Sequence, residues 1–273
     1  MRSLRAFLWI FLGAGSIATA QEGPAFPDAT NESDHFWFNL PAGYTVADAA
    51  TLGEQFDRIL EIVADRVGAS LDQKITLVFD YPRPGHCPSR AWTTASRDSL
   101  PMIFVFANED TPAAQIKGAL AHEVGHVLDE AAIASRRELA IIREGFATWA
   151  AGPYWLEWKG VRSFRSAIAS YKAAGTYLPL HENDGFLDTL SEDAAQRFGE
   201  DCLYYRDLIY TEWGAFIEYL VEEYGREKLY TLFRTPPLIN EGENVGRPNF
   251  AAVYGRSLRE LEAAWLERIE YGE

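Results

Sequence analysis

Two histidines and one glutamate in this sequence have the spacing of a metal site, in the run His122-Glu123-Val124-Gly125-His126. On an α-helix, residues four apart lie on the same face, so His122 and His126 can present two imidazoles to one ion. Glu123 lies about 100° round the helix, where its carboxylate can reach a water on the metal without replacing a ligand. Two neutral imidazoles suit zinc, and a carboxylate beside the bound water suits a general base. The run therefore predicts a catalytic zinc site; the alternative is an amphipathic helix with two incidental histidines.

The flanking residues favour a helix through this run. Asp110, Thr111 and Pro112 combine capping side chains with a proline, which is typical of a helix start. Apolar residues then recur at helical spacing and predict a buried face: Ile116, Leu120, Val124, Val127 and Leu128. Gly125 costs about 1 kcal/mol relative to alanine inside a helix. A close approach by another backbone would explain that glycine.

A catalytic zinc site normally takes three protein ligands and a water, so a third ligand is needed. Asp129 follows His122 by seven residues, which separates them by about 10 Å along a helix axis and excludes binding to the same ion. The ligand must come from a second element, and we select Glu144 on a further predicted helix. Small residues share its helix face and would let a neighbouring helix pack closely: Ala147, Thr148 and Ala151. Glu138 is the alternative ligand, and a solvated surface position is the alternative interpretation of Glu144.

The motif and its surroundings resemble a known group of enzymes. The H-E-x-x-H motif from His122 to His126, followed 18 residues later by Glu144 in an E-G-F-A run, resembles the gluzincin metallopeptidases and, more narrowly, the bacterial peptidase MA-like domains. The spacing of residues from Tyr210 to Trp265 is also similar to the C-terminal helices of that family, so the resemblance covers roughly residues 35 to 270. Many gluzincins carry an acidic residue, which steadies a zinc histidine, four positions after the ligand glutamate. This chain has Thr148 there, so that role would fall to a hydroxyl or to another part of the chain.

The resemblance implies an α+β, zincin-like fold. A small mixed β-sheet would pack against the motif helix and an amphipathic helix predicted over residues 45–68, and a mostly helical C-terminal half would form the other wall of the cleft. It also implies one Zn²⁺ per chain and hydrolysis of a peptide or protein substrate by a zinc-activated water, with Glu123 as general base. Tyr210 would donate a hydrogen bond to the oxyanion. Tyr204 and Tyr205 are close alternatives, and a tyrosine packed on the core is the other interpretation of Tyr210.

Alternating apolar residues and turn residues predict the strands and loops around the motif. Strands are predicted at residues 35–40, 75–80 and 102–107. The resemblance implies that the third of these edges the cleft, where an extended substrate could add as a further strand. A proline-containing loop over residues 81–100 could form one wall of that cleft. From Leu203 onward the pattern is helical, and His181 is more simply a surface histidine than a residue of the site.

Residues 1–20 have the pattern of a signal peptide. A basic start precedes a short apolar run and a small-residue cleavage site, in Arg2, Arg5, Ala6 to Gly13 and Ala18-Thr19-Ala20. The apolar run is too short to span a bilayer, so we expect an exported protein, periplasmic or secreted from a bacterium, with no membrane span after cleavage; an uncleaved anchor is the alternative. The remaining chain is predicted to comprise a flexible lead-in (21–34), a zincin-like catalytic N-terminal part (35–152) and a helical C-terminal part of the same unit (153–273).

The chain is acidic, with a formal net charge of −15 over 273 residues. This charge argues against nucleic acid and anionic membranes as partners, and it weakly favours basic or neutral substrates. In an oxidising compartment Cys87 and Cys202 could form one disulfide; the alternative is two separate buried thiols. No feature of the sequence sets an oligomeric state.

Two other classes of function are compatible with the sequence. One is a zinc-binding but non-proteolytic exported binding module on the same fold, and the other is an exported interaction protein without a metal. The presence of Glu123 argues against the first, because a purely structural site needs the two histidines and not the base.

Overall fold

The computed structural model describes residues 26–82, 89–96, 99–132, 140–182, 202–238 and 247–271. These residues form an α+β fold with a small five-stranded sheet, in agreement with the predicted class. The strands are β1 Asn31–Glu32, β2 Phe36–Phe38, β3 Ile75–Asp80, β4 Ala91–Ser96 and β5 Ser99–Phe106. The α-helices are α1 Ala49–Val67, α2 Ala113–Ala132, α3 Ala140–Lys159, α4 Phe164–Ala174, α5 Cys202–Tyr224, α6 Arg226–Arg234, α7 Phe250–Tyr254 and α8 Leu258–Tyr271.

The sheet is mixed, with the strand order β1-β2-β3-β5-β4. Strands β2, β3 and β5 run parallel, while β1 and β4 pair antiparallel at the two edges. Residues 75–79 of β3 are all buried, as expected for a central strand that is covered on both faces. The three predicted strands are therefore present as β2, β3 and β5, with ends that differ by a few residues.

The prediction of a continuous loop over residues 81–100 is wrong, because this segment contains the edge strand β4. Trp92 stacks on Phe104 of β5 with ring centroids 4.6 Å apart, and the Thr93 hydroxyl donates to the carbonyl of Met102 at 3.0 Å. The prolines that indicated a loop all precede Ala91, so they do not interrupt the ladder. Strand β4, rather than β5, is consequently the edge strand that packs beside α2.

The chain just before β2 is held against α1 by hydrogen bonds to one carboxylate. The carboxylate of Asp57 accepts hydrogen bonds from the Ser33 hydroxyl at 2.9 Å and from the backbone N–H groups of Asp34 and His35 at 3.1 and 2.9 Å. Three donors on one carboxylate fix the chain just before β2 and allow β1 to pair with it.

Helix α1 matches the predicted amphipathic helix. A short 3₁₀ turn at Val46–Asp48 leads into it, and it ends at Gly68, whose φ of 70° lies in the left-handed region that favours glycine. Its buried face packs on the sheet and includes Leu52, Phe56, Ile59, Leu60, Val63 and Val67.

Helices α2, α3 and α5 approach one another closely where glycines face them. A Cβ atom at Gly125 of α2 would lie 2.9 Å from the Cα atom of Ala147 on α3, and one at Gly214 of α5 would lie 2.6 Å from Cγ2 of Thr148. Real Cβ contacts are essentially never that short, so a larger residue would push the helices apart. The predicted close backbone approach at Gly125 is confirmed. The approaching backbone is that of Ala147, one of the small residues on the helix face of Glu144.

Helix α3 bends sharply where Gly152 takes φ 43° and ψ −110°. Pro153 follows and has no N–H, so the Trp149 carbonyl loses its ordinary helical partner. The Arg66 guanidinium on α1 donates to that carbonyl through Nε and Nη2 at 3.2 and 3.0 Å. The carbonyl that the bend leaves without a helical partner is therefore hydrogen-bonded. Helix α3 carries Glu144 before the bend and two tryptophans after it, so one helix crosses the predicted boundary at residue 152.

The C-terminal half is helical as predicted, from α4 to α8. Its core is aromatic, with Phe216 in contact with Phe250 and Trp265 at ring-centroid distances of 5.9 and 5.5 Å. Within the ranges that the structure describes, no helix has both the length and the apolar character needed to cross a bilayer.

Candidate metal centre

The side chains of His122, His126 and Glu144 meet between α2 and α3. The Oε2 atom of Glu144 lies 3.1 Å from Nε2 of His122 and 3.4 Å from Nε2 of His126. One potential ligand atom from each residue lies within 4.8 Å of the others. The predicted third residue is therefore brought to the two histidines. Among the described residues, these three side chains form the group that could hold a metal ion.

Local sequence explains why these three side chains meet. Helical spacing places the two histidines on one face of α2, with their rings edge to face at a centroid distance of 4.8 Å. The close contact of Gly125 with Ala147 brings that face near α3, and Glu144 lies one turn before Ala147. A larger residue at position 125 would move the histidines away from the carboxylate.

Burial and the shared carboxylate set the protonation of the group. Burial lowers the pKa of His122 to about 4, so its imidazole is neutral at neutral pH, the form that binds metal. Burial also acts to lower the pKa of His126, but the Glu144 carboxylate outweighs it and the net shift is upward. Although burial acts to raise the pKa of Glu144, the two histidines hold it well below its usual range.

The donor set fits zinc. Two imidazole nitrogens and one carboxylate oxygen are a common ligand set of catalytic zinc sites, which leave a fourth position for water. The pocket described below opens beside these atoms and would supply that position. The three residues fit a zinc ion through the chemistry of their donors and through their convergence.

Thr148 contacts the far side of His122. Its hydroxyl oxygen lies 3.3 Å from Nδ1 of His122, and the threonine is fully buried. With the proton on Nδ1 donated to this hydroxyl, Nε2 directs its lone pair toward Glu144 and the candidate metal position. The sequence left open whether a hydroxyl or another part of the chain steadies a zinc histidine. In the structure the Thr148 hydroxyl contacts His122. The Nδ1 atom of His126, by contrast, is buried without a hydrogen-bond partner among the described residues.

Replacing Thr148 by valine should weaken zinc binding by about 10- to 100-fold, because His122 loses the group that fixes its tautomer and orientation. The zinc dissociation constant, measured by competition with a chromophoric chelator, would report the change. Thr148→Ser keeps the hydroxyl and should bind zinc close to wild type. Equal dissociation constants for Thr148→Val and wild type would show that this contact does not orient the ligand.

Glu123 and Tyr210 border the same group. Glu123 is 6% exposed, and burial raises the pKa of its carboxyl group to about 7. The Tyr210 ring stacks on His122 with centroids 5.4 Å apart and an interplanar angle of 12°, and its hydroxyl hydrogen-bonds with Glu144. Burial and the charge of Glu144 raise the pKa of Tyr210 well above its ordinary value, so the hydroxyl keeps the proton that a hydrogen-bond donor needs.

Of the three candidate tyrosines, only Tyr210 lines the pocket. Tyr205 is buried in the core at 7% exposure, and Tyr204 is 46% exposed at the surface. His181 lies elsewhere, where its Nδ1 atom is 3.2 Å from the carboxylate of Glu262. The alternative ligand Glu138 and the side chains of Cys87 and Cys202 fall outside the residues that the structure describes.

The pocket beside the metal group has a volume of about 250 Å³. One wall is the start of β4 with the residues before it, and the others come from α2, α3 and α5. Its lining beyond the residues already named includes Arg90, Trp92, Ala119, Arg143, Trp155, Trp158, Arg206 and Asp207. Segment 81–100 does supply a wall, as expected, although as a strand. The sequence-based prediction did not include the cationic residues of the pocket lining. Arg206, one helical turn before Tyr210, is the signal that could have indicated them.

Comparisons with known proteins give one distant likeness. No family model matches the chain, and no curated protein matches it. A crystal structure of a mutant M1 zinc metallopeptidase from Deinococcus radiodurans matches with 20% sequence identity and a TM-score of 0.44. The match covers 90% of this chain and 51% of that one, so this chain spans about half of that protein's length. The function is therefore inferred from the site itself.

Proposed function

We propose that this protein is an exported zinc metallopeptidase of the gluzincin type with a zincin-like fold. The convergence of His122, His126 and Glu144 within 4.8 Å carries the proposal. A buried carboxylate and a partly buried tyrosine border that group in one pocket, which provides the parts of a hydrolytic site and not only of a structural one.

Each residue of the site would have one role. His122, His126 and Glu144 hold the metal, which when bound lowers the pKa of a water toward 7 and polarises the scissile carbonyl. Glu123 accepts the proton of the attacking water and passes it to the leaving amine. The Tyr210 hydroxyl donates a hydrogen bond to the carbonyl oxygen as negative charge develops there.

A peptide is the substrate that the surroundings favour. The pocket lies against the edge strand β4, whose outer backbone groups have no neighbouring strand in the described sheet. An extended peptide can pair with such an edge and place its backbone beside a fixed site. Export rests on the signal-peptide pattern of residues 1–20, which the structure does not describe.

Metal analysis of the mature chain tests the proposal first. We expect about one zinc per chain by elemental mass spectrometry in protein purified without added metal. Peptide cleavage from a mixed peptide library should be lost on chelation and return when zinc is added. A protein that contains no zinc and does not take it up on reconstitution would contradict the proposal and favour an interaction protein without a metal.

A further inference from the structure

Resting on the proposed peptidase function, we propose that the pocket beside the metal centre binds a substrate carboxylate, with Arg206 as its main partner and Arg90 as its second. The carboxylate is either the C-terminal α-carboxylate of a peptide or an Asp or Glu side chain. The first source would make the enzyme act near C-termini, and the second would give it a subsite for acidic residues.

Arg206 lies about one helical turn before Tyr210, which borders the metal centre. It precedes Tyr210 by four residues on α5, which is about 6 Å along the helix axis, on the same face. Tyr210 stacks on His122, and all three residues line one pocket. Since an extended peptide advances about 3.3 Å per residue, a group bound by Arg206 belongs to a residue one or two positions from the scissile bond.

Positive charge is concentrated at this end of the pocket. The carboxylate of Asp207 accepts hydrogen bonds from Arg90 and, at 2.7 Å, from Nζ of Lys159. The guanidinium of Arg206 is a third cation close enough to interact with Arg90 and Asp207. The pKa of Lys159 is lowered to about 8, mainly by burial, with the charges of Arg90 and Arg206 acting in the same direction and Asp207 opposing them. Cations grouped in this way would attract an anionic group of the substrate.

Two of these cations, Arg90 and Lys159, lie against aromatic rings. The Arg90 guanidinium lies 4.8 Å from the ring centroid of Trp158, and Nζ of Lys159 lies 3.2 Å from the same centroid and 4.7 Å from that of Trp155. Cations fixed in this way lose little freedom when a ligand binds, so Arg90 and Lys159 are preorganised for an anion.

Arginine suits a carboxylate better than other anion binders would. Its planar guanidinium has five N–H donors in a fork that matches the two oxygens of a carboxylate. One arginine can therefore contact a neighbouring group of the protein and also bind a carboxylate of the substrate. The local charge opposes the sequence-based expectation of basic or neutral substrates, because the net charge of −15 is spread over the whole chain.

Binding of matched peptides to Glu123→Gln protein tests the inference without turnover. The four peptides are acetyl-Ala-Ala-Glu and acetyl-Ala-Ala-Gln, each with a free or an amidated C-terminus. Each peptide is titrated by calorimetry into zinc-loaded and into metal-free protein. At least one carboxylate-bearing peptide should bind about 10-fold more tightly than the uncharged Gln amide. Arg206→Gln should remove this preference, whereas Arg162→Gln, which removes an exposed arginine elsewhere, should keep it.

The pattern of preference identifies the source of the carboxylate. A preference that follows only the free C-terminus indicates the α-carboxylate, and one that follows glutamate in the amidated peptides indicates a side chain. Equal binding of all four peptides, or a preference that persists in a folded Arg206→Gln protein, would overturn the inference. If Arg206→Gln does not fold, Arg90→Gln is used in the same titration with the same criteria.

The design separates this inference from the proposed function. If wild-type protein cleaves no library peptide but the carboxylate preference is present and depends on Arg206, the peptidase proposal fails and the carboxylate site stands. If the library is cleaved and the four peptides bind equally, the peptidase proposal stands and the carboxylate site fails.

Discussion

Glu123→Gln should lower kcat for peptide hydrolysis by about 10²- to 10⁴-fold while the zinc content stays at the wild-type level. Glutamine keeps the shape of the side chain but cannot accept the proton of the attacking water. Glu123 borders the metal group in the pocket without belonging to the convergent ligand set, so its loss should not release the metal. Burial places the pKa of Glu123 at about 7, and a bound dication would bring it lower, so the carboxylate is ionised in the working enzyme.

The measurement is steady-state cleavage of one peptide from the library by wild type and variant, with zinc determined on the same samples. Glu157→Gln is the matched control, because Glu157 lies at the surface of α3 and pairs with Lys117 at 2.6 Å, away from the pocket lining. It should turn over peptide at the wild-type rate. Undiminished activity in Glu123→Gln would eliminate the proposed base and, with it, this mechanism.

The convergence at the site could be predicted because it follows mostly from local helix geometry. The spacing of His122 and His126 places them on one helix face in any fold that keeps the helix. Gly125, unfavourable in a helix interior, indicated that another backbone must pass close to it, and Ala147 does so. Glu144 could be chosen because small residues surround it on its helix face, and small residues are what a close helix contact requires.

The parts that could not be predicted depend on contacts between distant segments. Strand β4 exists because Ala91–Ser96 pairs with β5, and nothing in its own sequence outweighs the prolines that precede it. Arg90 and Arg206 are separated by 115 intervening residues, yet both line the pocket because α5 packs beside α3. The hydroxyl of Thr148 reaches His122 only once α2 and α3 are packed, so the sequence left its role open.

Glu144→Ala should cause a larger loss of zinc affinity than Thr148→Val. Changing an outer contact such as Thr148 is expected to cost about 10- to 100-fold in zinc affinity, and removing a direct ligand should cost more than that. The variant would leave two imidazoles and no negative charge to balance a dication. It would also remove the hydrogen-bond partner of the Tyr210 hydroxyl and the group that His122 and His126 share. Zinc per chain after purification without added metal should therefore fall from about one to near zero.

Two further variants separate loss of the ligand from loss of the fold. Glu144→Gln keeps the side-chain volume and a neutral oxygen donor, so it should bind zinc more weakly than wild type but more tightly than Glu144→Ala. Metal-free wild type and the two variants should each unfold in a single cooperative transition if the packing of α2 on α3 survives the change. Zinc retained at the wild-type level in a folded Glu144→Ala protein would mean that another carboxylate completes the site. Glu138, the alternative ligand indicated by the sequence, would then be the residue to replace.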